Sequence, residues 1–259
     1  GEYLFRAFSA SGINDQFMVE ATGITRYGLG KYGLDNSLFP LPPIEEQYAI
    51  AAFLNHETKR IDQLIARKER QIELLQEKRT ALISHAVTKG LNPKAKMKDS
   101  GIKWLGEIPE HWDAVPVKRQ YEIQLGKMLQ NNPSSESDIS VPYIKALHVL
   151  WGEVDTSDLP NMWASQADLK QFRVKSGDLL VCEGGEAGRA GIVDSAPVTC
   201  IIQNALHRVR EKGADIRYLQ YVLQTVSSEG WFDVLCNKAT IAHITREKLA
   251  NIRMPLPPR

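Results

Sequence analysis

The stretch IDQLIARKERQIELLQEKRTALISHAVTKG, residues 61–90, decides the fold of this chain. Its apolar residues recur at alternating spacings of three and four. The same register reaches back upstream, through Ala51, Leu54, Thr58, Ile61, Ile65, Lys68, Ile72, Leu75, Arg79, Leu82 and Ala86. A sustained 3.5-residue period marks a coiled-coil seam, whereas a helix lying on a globular body follows 3.6. Between the seam positions stand charges such as Arg60, Glu69, Arg70, Glu73, Glu77 and Lys78. Pro42-Pro43 followed by Glu45-Glu46 suits a helix start, and Lys89-Gly90 before Asn92-Pro93 suits its end. The spacing therefore predicts a helix over residues 44–90, a rod of roughly 68 Å.

One seam cannot bury itself, so a partner helix is expected along Leu54, Ile61, Ile65, Lys68, Ile72, Leu75, Arg79 and Leu82. Lys68 and Arg79 within the seam have two readings. They fix register at a cost in stability, or their stems pack while their charged heads reach water.

On either side of this helix the chain repeats itself. Tyr3-Leu4, Ala21-Thr22 and Pro40-Leu41-Pro42-Pro43 are echoed by Tyr218-Leu219, Ala239-Thr240 and Pro255-Leu256-Pro257-Pro258. So long a period excludes a solenoid and points to a duplicated, domain-sized unit. The first copy leads into the long helix, while the second stops at Arg259, where a matching helix is expected to begin. The chain is accordingly expected to be a fragment, one period plus part of another.

The body after the helix reads as α+β with a mostly antiparallel sheet. Residues 91–103 are a basic linker, and Trp104 to Trp112 form an ordered loop leading into the domain. Strands are expected at 141–144, 178–182, 190–193 and 198–202, a helix over 215–228, and a shorter one from Thr245. With 259 residues and 43% apolar content a sizeable core is available, and the net charge of +1 advertises no polyanionic partner. Local patches rather than totals set affinity for nucleic acid, however. No apolar run approaches the ~20 residues of a membrane span. Cys182, Cys200 and Cys236 are odd in number and lack metal-ligand spacing, as buried thiols of a reducing compartment would.

Catalytic constellations are missing from the sequence. Gly28-Leu29-Gly30 lacks the strand–turn–helix setting of a nucleotide fingerprint, and His56 and His85 fall on the long helix. Cys182 with His207 is the one arrangement resembling a nucleophile and base. Turn residues suited to nucleic acid are more numerous. Lys127, Lys145, His148, Trp151, Glu183, Arg189, Gln203, Asn204, Lys238, Thr240 and His243 are the candidate DNA-binding residues. Asn and Gln suit adenine, Arg and Lys suit guanine or phosphate, and a carboxylate accepts from cytosine.

Together, Pro40-Leu41-Pro42-Pro43-Ile44-Glu45-Glu46-Gln47, the heptad helix closing at Lys89-Gly90-Leu91-Asn92-Pro93, and Trp104-Leu105-Gly106-Glu107-Ile108-Pro109 resemble a known family. Gly177-Asp178-Leu179-Leu180, the turn to Gly188-Arg189, and Thr240-Ile241-Ala242-His243-Ile244-Thr245 add to it. That family is the DNA-specificity (S) subunit of type I restriction-modification systems, and the likeness runs along essentially the whole chain. It implies two target recognition domains, each reading half of a split site, held apart by two antiparallel helices. It also implies a non-catalytic cytoplasmic protein of bacteria or archaea. Double-stranded DNA, modification subunits and restriction subunits would be its partners. S-adenosylmethionine, ATP and magnesium would sit on those partners, with no cofactor on this chain.

By this likeness, residues 1–43 are the tail of a first recognition domain and 44–90 the spacer helix. Residues 91–254 are a complete second recognition domain, and 255–259 open a truncated distal region. An antiparallel homodimer through the long helix is expected to stand in for the missing half. The competing reading is a coiled-coil interaction module whose α+β head binds protein and reads no DNA.

Overall fold

The structure, a computed structural model, describes residues 1–20, 31, 35–235 and 243–258. The chain divides into two compact units, Gly1–Leu75 and Gln76–Arg259. The long helix contributes to both.

In the first unit, α1 (Glu2–Phe8) and α2 (Ser11–Glu20) come before α3 (Ile44–Lys89), and residues 37–43 lead into α3 without helix or strand. Tyr3 Oη donates to the Pro40 carbonyl at 2.8 Å, and Gln16 exchanges two hydrogen bonds of 2.9 Å with the backbone of Leu38. Arg6 donates to Asn55 Oδ1 on α3 at 2.6 and 3.1 Å. Phe8 sits edge-on to both Phe17 and Phe39.

Helix α3 has 46 residues and the bounds expected from its flanking prolines and glycine. Gly90 takes φ +76°, the left-handed conformation of a helix stop, with Trp112 packed against it. Along the middle of α3 the seam is open: Ile61, Ile65, Ile72, Leu75 and Leu82 are each at least half exposed.

The second unit begins with a correction. Residues 91–103 are more than a linker, because β1 (Met97–Asp99) pairs antiparallel with β2 (Glu107–Pro109). This hairpin drives Trp104, Leu105 and Ile108 into the core with Val87 and Trp112. A five-stranded sheet follows in the order β4-β11-β8-β9-β6: β4 (Tyr121–Leu125), β11 (Leu206–Glu211), β8 (Leu179–Cys182), β9 (Ala190–Ile192) and β6 (Gly152–Glu153). A three-stranded sheet has the order β10-β5-β7: β10 (Ile201–Ile202), β5 (Ile139–Ile144) and β7 (Asn161–Ala164). Last, β12 (Arg253–Leu256) pairs with β3 (Asp113–Pro116). Among the described residues, six of the strand pairings are antiparallel and two parallel, so the sheets are mixed and mostly antiparallel.

Strand β8 is apolar and buried at every position, as a strand covered on both faces must be. Leu179 and Val181 face one core, which includes Leu219, Val222, Leu223 and Val226 of α6 (Ile216–Ser228). Leu180 and Cys182 face a second core with Ile144, Ile202 and Leu206. Short helices complete the unit: α4 (Val117–Gln120), α5 (Gln166–Phe172), α7 (Trp231–Leu235) and α8 (Arg246–Asn251).

Two other expectations need revision. The strand expected over 198–202 holds only at Ile201–Ile202, because Val198 and Thr199 form an exposed turn after Pro197. Helix α5 falls between the strands expected at 141–144 and 178–182, where no helix was expected. Ser165 caps it by accepting from Asp168 N, and Asp168 accepts in return from Ser165 N.

Candidate nucleic-acid interface

The two larger sheets bring most of the expected site residues together where their strands end. Leu125 at the end of β4 stands opposite His207 near the start of β11, and Leu206 stands opposite Cys182 at the end of β8. Val181 pairs with Ala190 at the start of β9, and Ile144 with Ile202, both at strand ends. The residues just beyond these ends are Lys127, Glu183, Arg189, Lys145, Gln203 and Asn204. They share one rim because their strands end there.

Backbone hydrogen bonds lock the rim. Lys127 N donates to Ile202 O at 2.8 Å, Asn204 N to Lys127 O at 2.8 Å, and Gln203 N to Ile144 O at 3.0 Å. Gly126 permits this crossing, since a Cβ there would lie 2.2 Å from the Gln203 carbonyl oxygen. Ile244 N donates to Glu183 O at 2.8 Å, which brings His243 to the rim with its ring against Gly184. Lys238 and Thr240 lie outside the described residues, as do Cys236, Gly28-Leu29-Gly30 and both Ala-Thr pairs.

These side chains divide by what they already hold. Lys127 is paired with Asp168 at 3.0 Å, with little of its side chain exposed. Burial pulls the Asp168 carboxyl up, but hydrogen bonds from Ser165 and Lys127 outweigh it and hold the group below its usual range. Glu186 accepts from Trp151 Nε1 at 2.6 Å and from Arg189 Nη1 at 3.0 Å. Arg189 Nη2 reaches the Ala146 carbonyl at 3.0 Å. Lys127, Trp151 and Arg189 therefore fasten the loops to one another.

Lys145, Glu183, Gln203 and Asn204 have side-chain ends with no ion pair or side-chain hydrogen bond among the described residues. His148 Nδ1 accepts from Lys145 N at 3.3 Å, which leaves the proton on Nε2. Burial, then the neighbouring Lys145, lower the His148 pKa, so the ring is a neutral donor at pH 7. The rim thus offers a cation, an N–H donor, two amides and a carboxylate. That set can read base edges and touch phosphate.

Two rim residues had no mark in the sequence reading. Met128 and Leu147 are each 75% exposed, beside Lys127 and between Lys145 and His148. Exposed aliphatics among polar rim groups suit contact with a thymine methyl. The available signal was an apolar residue next to a basic one in a polar turn, Met128 after Lys127 and Leu147 before His148.

Cys182 and His207 do not meet as nucleophile and base. Cys182 and Leu206 are cross-strand partners on one face, so His207, the next residue, faces the other. Burial raises the Cys182 thiol, and His207 Nε2 is engaged with the Ile244 carbonyl at 2.8 Å. No group of metal-ligating side chains gathers among the described residues, and none of their helices is long and apolar enough to cross a membrane.

Comparison with known proteins follows the same lines. The chain is 28% identical over 265 residues to the type I restriction enzyme MjaVIII specificity subunit of Methanocaldococcus jannaschii, covering 98% of this chain and 59% of that protein. It is 26% identical to the type I restriction enzyme EcoBI specificity subunit of Escherichia coli, over 91% of this chain and 51% of that one. This chain is a homologue of the type I specificity subunits. It spans little more than half the length of those specificity subunits. No protein-family model matches it.

The solved HsdS subunit from Thermoanaerobacter tengcongensis shares the fold at TM-score 0.56 and 22% identity, over 99% of this chain and 58% of that one. A structure from work on complex assembly and conformational transition of the type I R-M system superposes at TM-score 0.63 and 21% identity, over 99% and 59%. The α+β body on a long helix is therefore the fold of type I specificity subunits.

Proposed function

We propose that this chain is a non-catalytic, sequence-specific DNA reader of a type I restriction-modification complex. Residues 91–254 would act as a recognition domain for one half of a bipartite target. The observation that carries the reading is the convergence of Lys145, His148, Glu183, Gln203, Asn204 and His243 on one rim, held by loops that neutralise their own fastening charges. Names of the homologues support it.

In this reading, residues 1–43 are the tail of another recognition domain, 44–90 the spacer helix, and 255–259 the start of a distal conserved region. Modification subunits carrying S-adenosylmethionine would dock on the scaffold, as would restriction subunits using ATP and magnesium. This chain would bind no cofactor itself. A cytoplasmic location goes with such partners. The open seam from Ile61 to Leu82 would pair with the same helix of a second copy, antiparallel.

That same seam favours the competing reading, a coiled-coil module whose head binds protein. Affinity for duplex DNA across a salt series separates the two. Phosphate contacts release counterions, so a DNA reader gives a log–log slope of about 0.9 per phosphate neutralised. Duplex binding absent at low salt would favour the protein module.

A further inference from the structure

Helix α5 carries the rim toward a second charged feature. Asp168 in its first turn holds Lys127, while its last turn and the following residues bear Lys170, Arg173 and Lys175. These three line a cleft of about 470 Å³ with Arg210, Gln166 and Thr199. No carboxylate is among the residues lining it.

The cleft is built from inside the fold. Arg208 and Arg210 alternate with inward-facing Val209 on β11 and so project from the same face. Arg208, almost fully buried, donates to the carbonyls of Gln171 and Arg173 at 3.1 and 2.6 Å. Arg210 donates to the Arg173 carbonyl at 3.0 Å and to both Asp178 oxygens at 2.6 and 2.8 Å. Two arginines thus satisfy the carboxyl end of α5 and hold it in place. The side chains of Lys170, Arg173 and Lys175 are left exposed, with no ion pair among the described residues. A neighbouring cleft that shares Lys175 and Arg210 also has Asp178, Glu211 and Asp215 in its wall, so its charge is balanced. Of these two clefts, the α5 cleft is the one whose lining cations face no lining carboxylate.

We infer that this cleft is a phosphate-contact site for the backbone of duplex DNA, flanking the bases that the rim reads. The inference rests on the DNA-reading proposal and adds residues that fix register without reading sequence. Continuity favours DNA as the occupant: Asp168 in the first turn of α5 holds the rim's Lys127 and Lys170 stands in its last turn, so a duplex lying on the rim would reach the cleft along α5.

The experiment uses the full chain, a labelled 30-base-pair duplex of random sequence, and a salt titration of affinity. The variant K170A/R173A/K175A alters only exposed side chains, and K170R/K175R is its charge-preserving control. Loss of three phosphate contacts is expected to lower the log–log salt slope by about 2 to 3, equally for all sequences. The arginine control keeps the parent slope. An unchanged slope in the triple variant, with the parent still binding duplex, would overturn the cleft and leave the rim reading standing. A parent chain that binds no duplex would remove both. A triple variant that keeps duplex binding but loses a methyltransferase subunit would assign the cleft to protein and also overturn the inference.

Discussion

His207 shows how a single residue of the second unit answers to pH. It is fully buried, and burial, opposed in part by the Ile244 carbonyl and Glu183, lowers its pKa. The unfolded ring takes a proton near pH 6.5 while the folded one resists it. Below that pH the unfolded state therefore binds more protons, and stability falls as pH drops from about 7 to 5. Chemical denaturation at stepped pH should show this loss, and His207→Gln, which keeps a donor for Ile244, should reduce it. An identical pH profile in the variant would contradict the assignment. Tyr218 makes a second residue-level case. Its hydroxyl lies 2.8 Å from the Pro255 carbonyl and 3.1 Å from that of Val87, tying α6, β12 and the end of α3 together. Tyr218→Phe strips those carbonyls of a buried partner, at a cost of about 1–2 kcal/mol. A denaturation midpoint equal to the parent's would show that the bond contributes nothing.

Among the elements, those with strong periodicity or clear stop signals were legible in the sequence. Helix α3 had a 3.5-residue seam, prolines before it and Gly90 after it, while α6 had an apolar face and Asp215 as its cap. The β1–β2 hairpin was not legible, because Met97-Lys98-Asp99 alternates too little to stand out from a basic linker. Nor was α5, although its Ser165-x-x-Asp168 capping box was there to be read. The rim residues could be nominated by type, but their meeting depends on strand pairings between distant segments. Only the register of β4, β8, β10 and β11 brings Lys127, Glu183 and Gln203 to one edge. Two predictions belong to this scale. Gly126→Ala, whose Cβ would collide with the Gln203 carbonyl, should cost about 1–3 kcal/mol and weaken duplex binding with it. On α3, the paired change Ile65→Asp and Ile72→Asp should turn a concentration-dependent dimer into a monomer in sedimentation. It should leave the fold intact, since both side chains are half exposed in the single chain. A parent chain that stays monomeric at micromolar concentration would remove the dimer proposal.

Across the whole molecule, the sequence repeat has a structural counterpart. Tyr3 donates to Pro40, and Tyr218 donates to Pro255, each bond 2.8 Å long and spanning 37 residues. The two halves share a local lock as well as a motif, as duplicated units should. The net charge of +1 comes from 32 basic and 31 acidic residues, so any attraction for DNA has to be local. Selection of a randomised duplex pool by the full chain with a methyltransferase partner present, followed by sequencing, tests sequence reading most directly. The expected result is enrichment of a short fixed motif, lost or altered in Lys145→Ala and Gln203→Ala but preserved in K170A/R173A/K175A. A folded chain that binds its partner and enriches no motif would contradict DNA readout.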